Sequence, residues 1–150
     1  MKVITVVLLC LTALAVPALD QGAALPELNT VTWVNGAAPA LDRRPTLVLL
    51  FSTTSPGSKD TLIAAGKVAR RHHSQMLALS ADAVDGLKRF IDPIGIEVYF
   101  PVGAVSPELH AALSAGLRGL PHCFLITTAG TVHWQGHPQM AEKALSSYQP

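Results

Sequence analysis

Aromatic side chains are scarce. Phe, Trp and Tyr together make up 5% of the 150 residues, too few for a stacking platform along single-stranded nucleic acid. Charge is thin as well: 14% of residues are charged against 49% apolar, which excludes a disordered polyelectrolyte and a charge-laced coiled coil. Eleven basic and ten acidic side chains leave a formal +1, and no basic block is longer than Arg70-Arg71-His72-His73. That argues against a nucleic-acid partner held through its phosphate backbone. Only two cysteines are present, Cys10 and Cys123. What is abundant is apolar sequence, enough for the core of one domain.

Part of that apolar sequence reads as an address. Met1-Lys2 precedes an apolar run from Val3 to Ala15, and Val16-Pro17-Ala18 supplies small residues where a signal peptidase reads. This predicts a signal peptide over residues 1–18, cleaved after Ala18, and an exported protein, periplasmic in a Gram-negative source. The alternative is a retained anchor, but Val3–Leu19 is short for a bilayer span, which takes about 20 residues. Cleavage removes Cys10 and leaves Cys123 alone, unable to close an internal bridge in an oxidising compartment. Cys123 then reads as a buried, inert thiol by default, and as a free thiol for exchange with a partner if exposed.

Residues 19–29, with several alanines and Pro26, read as a linker, and 30–150 as the domain. Strand character at 30–34 stops at the turn signal Asn35-Gly36. Thr46–Phe51 and Met76–Ser80 are continuous apolar runs of the kind covered on both faces. Helices are predicted after the Ser52–Ser58 segment to about His73, over 83–91, from Pro107 to about Ala115, and over 139–146. Short strands are predicted at 99–102, 122–127 and 131–135, the last two joined by a turn at Ala129-Gly130. Buried strands alternating with helices predict an α/β domain with a mixed central sheet and helices on both faces.

Several passages carry a resemblance. The stretch from Pro45 to Lys59, the segment Gly116-Leu117-Arg118-Gly119-Leu120-Pro121, and Phe124-Leu125-Ile126 followed by Ala129-Gly130-Thr131-Val132 resemble the thioredoxin fold. They are similar in particular to the exported TlpA/ResA-like thiol–disulfide oxidoreductases. The unit 76–102 is similar to the strand-and-helix insert of that family, and the resemblance covers roughly residues 30–147. It implies a parallel core with an antiparallel closing hairpin, and a cis bond between Leu120 and Pro121.

The chemistry departs from the family at its centre. The Cys-x-x-Cys position falls on Ser55-Pro56-Gly57-Ser58. A thiol at a helix start is activated because the dipole and free N–H groups favour thiolate; a serine hydroxyl there stays protonated and forms no disulfide. Leu49 matches the position where plain thioredoxins carry a buried acid, and Thr54 the one where an aromatic precedes the family's first cysteine. Ser55 before Pro56 also suits an N-cap with proline at the first helical position, a cap that contributes about 1 kcal/mol. A serine nucleophile needs a base and an orienting group. His122 follows Pro121, but no carboxylate is placed to orient it, so no catalytic residue is assigned.

The expected role is binding. The resemblance implies that the backbone of Leu120, with Pro121 and His122, lies beside the Ser55–Ser58 turn and that the two hold an extended peptide, Leu120 pairing with it by strand addition, and that step needs no sulfur. The partner is a protein or peptide, with no nucleic acid, cofactor or membrane span after cleavage. The alternatives are thiol–disulfide exchange through Cys123 or a partner's cysteines, and a structural subunit of an envelope assembly. His72-His73 reads as a helix end complementing the dipole. His122, Cys123, His133 and His137 lack a metal-binding spacing, and no metal is assigned.

Overall fold

The computed structural model describes residues 17–149, so the predicted signal sequence lies almost wholly outside the described residues. Six strands and four helices follow in order: β1 (Thr32–Asn35), β2 (Thr46–Phe51), α1 (Ser58–Arg71), β3 (Gln75–Ser80), α2 (Val84–Ile91), β4 (Val102–Ala104), α3 (Pro107–Ser114), β5 (His122–Ile126), β6 (Val132–Gly136) and α4 (Ala141–Ser147). They build one sheet in the order β1-β4-β3-β2-β5-β6. Strands β4, β3 and β2 run parallel, and β5 pairs antiparallel with both β2 and β6. β1 closes the far edge antiparallel to β4. This is the expected mixed sheet, with a second antiparallel edge at β1.

The two apolar runs lie at its centre. All six residues of β2 are buried, as are five of the six in β3, because both faces are covered. Leu47, Leu49 and Phe51 point into a layer with Leu62, Ala65 and Ala69 of α1, Leu87 and Ile91 of α2, and Ala141, Ala144 and Leu145 of α4. Val48 and Leu50 point the other way, with Leu77 and Leu79, toward Leu109 and Leu113 of α3. Three helices therefore cover one face and only one covers the other. The second face is completed by the N-terminal segment, whose Leu19, Leu25 and Leu28 join that layer. The segment read as a linker thus lies along β6: Gly22 N–H donates to Val132 O at 2.7 Å and Val132 N–H to Ala23 O at 2.8 Å.

Two local expectations shift. The strand predicted at 99–102 forms at Val102–Ala104. Tyr99 and Phe100 instead wedge against α1, where Tyr99 Oη donates to Gly66 O at 2.6 Å. Helix α1 begins at Ser58, not at Pro56, and its N-cap is Gly57 in a left-handed conformation, φ 75°. Only glycine takes that conformation without a steric cost, so Gly57 sets the start and Ser55 makes no cap bond.

Candidate functional site

The register of β2 against β5 places Leu50 opposite His122. The chain leaving β2 through Ser52 and the chain entering β5 through Pro121 therefore emerge side by side. The peptide bond between Leu120 and Pro121 is cis. On the β2 side, the serine- and threonine-rich turn holds itself closed. Ser58, at 6% exposure, donates its hydroxyl to Ser55 O at 2.8 Å, with Thr53 O at 3.4 Å. Ser52 and Thr54 share a hydroxyl–hydroxyl bond of 2.9 Å. Ser55 is half-buried, while Pro56 and Gly57 are exposed. A hydroxyl committed to a backbone carbonyl and lacking a base is not an activated nucleophile.

The turn is pinned by a residue that sequence reasoning passed over. Asp82 follows β3, and its Oδ2 accepts from Thr53 N–H at 2.8 Å and from Ser80 Oγ at 2.5 Å. Partial burial pushes this carboxyl up, but the bonds from Ser80 and Thr53 outweigh it and hold it below the usual value of 3.8. An acid directly after a buried strand, at the carboxyl end of a parallel sheet, was the available signal. A lowered folded-state value means that the charge of Asp82 adds stability above about pH 4, and this is lost as pH falls through the folded value. Asp82→Asn keeps an acceptor but not the charge. Urea unfolding of wild type should weaken more between pH 5 and pH 2 than that of the variant; parallel losses would assign the acid sensitivity elsewhere.

On the opposite flank of β5 a groove of about 690 Å³ opens toward β6 and the N-terminal segment. This is within the ~300–1,000 Å³ range of ordinary ligand clefts. Arg118, Gly119, Leu120, Pro121 and His122 form one wall, and Asp20, Gln135 and His137 face them. The structure therefore brings Leu120, Pro121 and His122 into one cleft, and leaves Ser55, Pro56, Gly57 and Ser58 out of its lining.

His122 is fixed by a relay. The Gln135 side-chain amide donates to Leu19 O, so its oxygen faces His122 Nε2 at 2.9 Å. The neutral imidazole then carries its proton on Nε2 and presents Nδ1 as an acceptor. The ring also packs edge-on to Phe124, with centroids 5.0 Å apart. No hydrogen bond joins His122 to Ser55 or Ser58 among the described residues, so the contact a hydrolytic site would need is not formed. Gln135, Arg118, Asp20 and His137 reach the groove from separate elements, and nothing in their spacing announces it.

Cys123 points away from the groove. It sits with Leu125 in the three-helix layer, and Cys123 is 0% exposed. Burial pushes its thiol far above the ordinary range. Leu49 is equally buried. Among the described residues no three His, Cys, Asp or Glu side chains group to hold a metal ion. His72 lies 3.5 Å from Glu142, which also pairs with Arg71 at 2.9 Å, and His137 caps the short turn before α4 through Nδ1. His133 packs edge-on to Tyr148.

No protein-family model matches the chain, and no curated protein matches it. Solved structures do. A thiol-disulfide isomerase from Corynebacterium glutamicum is 22% identical with a TM-score of 0.64, over 83% of this chain and 97% of that one. A secreted disulfide oxidoreductase from Mycobacterium tuberculosis is 12% identical with a TM-score of 0.61, over 79% and 95%. The peroxidoxin BcpB from the same organism is 17% identical with a TM-score of 0.65, over 85% and 95%. The chain has the thioredoxin-like fold that these disulfide- and peroxide-handling proteins share.

Proposed function

We propose that this protein is an exported, thioredoxin-like binding protein that holds an extended polypeptide at the Leu120–His122 groove without exchanging electrons with it. The observation that carries the reading is the pairing of two features on one scaffold. The helix start bears Ser55 and Ser58, with Ser58 Oγ donating to a backbone carbonyl, while an open cleft of ligand size persists one strand away. Hydroxyls at that position have no accessible oxidation state with which to form a bridge. The remaining thiol, Cys123, is enclosed in the core. Extended chain, by contrast, is recognised through backbone hydrogen bonds and side-chain pockets alone.

Export rests on the Lys2-plus-apolar N-terminus. No helix among the described residues is long and apolar enough to cross a membrane. The test is binding of a permanently unfolded chain, reduced α-lactalbumin alkylated with iodoacetamide, followed on the amide resonances of the protein. Shifts should cluster at 116–122 and at Gln135. Arg118→Ala with His122→Ala should weaken binding by about tenfold, equivalent to ~1.4 kcal/mol. Shifts elsewhere, or an unchanged affinity in the double variant, would remove the groove from the account.

A further inference from the structure

The pole of the sheet opposite the groove carries a second cleft, of about 430 Å³, lined by Arg44, Arg70, His73, Gln75, Tyr99 and Phe100. None of its lining residues is an acid. The only ion pairs among the described residues are those that Arg71 and His72 make with Glu142, so among those residues Arg44 and Arg70 have no carboxylate within 4.0 Å. Two guanidiniums left uncompensated around one cleft repel each other and raise the local potential. A natural relief is an anion.

The cleft is also built. Tyr99 is anchored by its hydroxyl to Gly66 O at 2.6 Å and stacked edge-on against Phe100, with centroids 5.2 Å apart and planes at 86°. The approach depends on Gly66: a Cβ there would come within 2.7 Å of the Phe100 ring and 3.3 Å of the Tyr99 ring. Arg70 then lies over the fixed Tyr99 ring, 3.9 Å from its centroid. A guanidinium carries five N–H donors, more than one neighbouring ring and phenol engage, and their fork matches an oxyanion bidentately. Arg44 lines the same cleft; burial pushes the Tyr99 phenol above its ordinary value, and the charges of Arg70 and Arg44 pull it back. The carbonyl end of α1 opposes an anion here, but its partial charge of about half a unit is smaller than that of two guanidiniums.

We propose that the Arg44–Arg70–Tyr99 cleft is a binding site for a phosphate oxyanion, presented either by a soluble phosphate or by a phospholipid headgroup. The site stands apart from the groove and does not depend on the peptide-binding reading. Two features nearby bear on the source: Lys67 and Glu97 line the adjoining surface together with Arg70 and Tyr99, where one carboxylate leaves the cations in excess, and Ile96 on the same surface is 93% exposed. Such a mixture of cations, an aromatic and an apolar tip suits a headgroup as well as a free ion.

The test uses the whole chain. Inorganic phosphate is titrated at neutral pH against sodium chloride of equal ionic strength, with amide shifts read at Gly66, His73 and Tyr99. Saturable shifts with phosphate and not with chloride are expected. Arg44→Gln with Arg70→Gln should weaken the phosphate affinity at least tenfold, and Arg70→Lys, which keeps the charge but loses the fork, should fall between. Sedimentation with phosphatidylglycerol and with phosphatidylcholine vesicles forms the second arm. Retention on the anionic vesicles that the double substitution abolishes assigns the headgroup; saturable phosphate binding without retention assigns a soluble phosphate. Shifts that chloride reproduces, or an affinity unaltered by the double substitution, overturn the site.

Discussion

Ser55→Cys together with Ser58→Cys should give the protein a dithiol–disulfide activity at the turn before α1. With oxidised glutathione, the double variant is expected to lose two thiols per chain and two mass units as an internal bridge closes. The wild type should keep its thiol count. The sulfur at 58 sits on the first residue of α1, a helix of 14 residues, and the sulfur at 55 in the turn three residues before it, close to free N–H groups and a dipole that favour thiolate over thiol. The outer position is half-buried and the inner one buried, so the thiol at 55 is the one to attack a substrate. Insulin reduction by the variant should exceed the buffer rate by roughly tenfold or more, since helix-start thiols fall well below the free value of about 8.5. It should stay below that of an ordinary oxidoreductase, because Leu49 provides no buried acid to move the proton. A double variant that forms no bridge would show that this turn is not a vestige of a dithiol site.

The native thiol is the second large effect. Cys123 is fully enclosed between β5 and the three-helix layer, and burial disfavours the thiolate that reagents attack. Reaction with Ellman's reagent then requires the core to open. At an opening cost of about 5 kcal/mol the native rate should be some 10³–10⁴-fold below that in guanidinium. Cys123→Ala should alter stability by about 1 kcal/mol through lost packing and leave every exchange assay as it was. A native rate within tenfold of the denatured one would instead revive exchange through this residue.

How far the sequence reached differs by element. β2 and β3 were legible because strands covered on both faces are apolar without interruption, and no other local pattern of that length competes. β4 was displaced because the rings of Tyr99-Phe100 pack against α1 and do not pair; they fill the space left by Gly66, and the paired residues are the small Val102–Ala104. The start of α1 was misjudged by a local rule. Ser55-Pro56 has the form of a cap, but Gly57 turns left-handed and Ser58 bonds backward, a choice that only the surrounding turn decides. Residues 19–28 look like a tether by composition, yet one face of the sheet has a single helix, and the segment supplies the missing cover.

The site divides in the same way. Leu120, Pro121 and His122 were visible through the resemblance, being contiguous. Asp82, Gln135 and Arg118 were not, because their roles exist only once β3, β6 and the bend before β5 are brought to the same end of the sheet. The groove itself was expected beside the serine turn. It opens instead on the β6 side of β5, where Gln135, held to Leu19 O by a contact invisible to any local pattern, lines its far side.

The central claim is that this scaffold grips chain by means that owe nothing to sulfur. It is tested most directly by comparing the affinity of the protein for one unfolded polypeptide in two forms, with free thiols and with every thiol alkylated, each complex being weighed intact. Equal affinities and no mass for a mixed disulfide are the predicted result. Capture of the thiol-bearing form alone, as a covalent adduct, would contradict it.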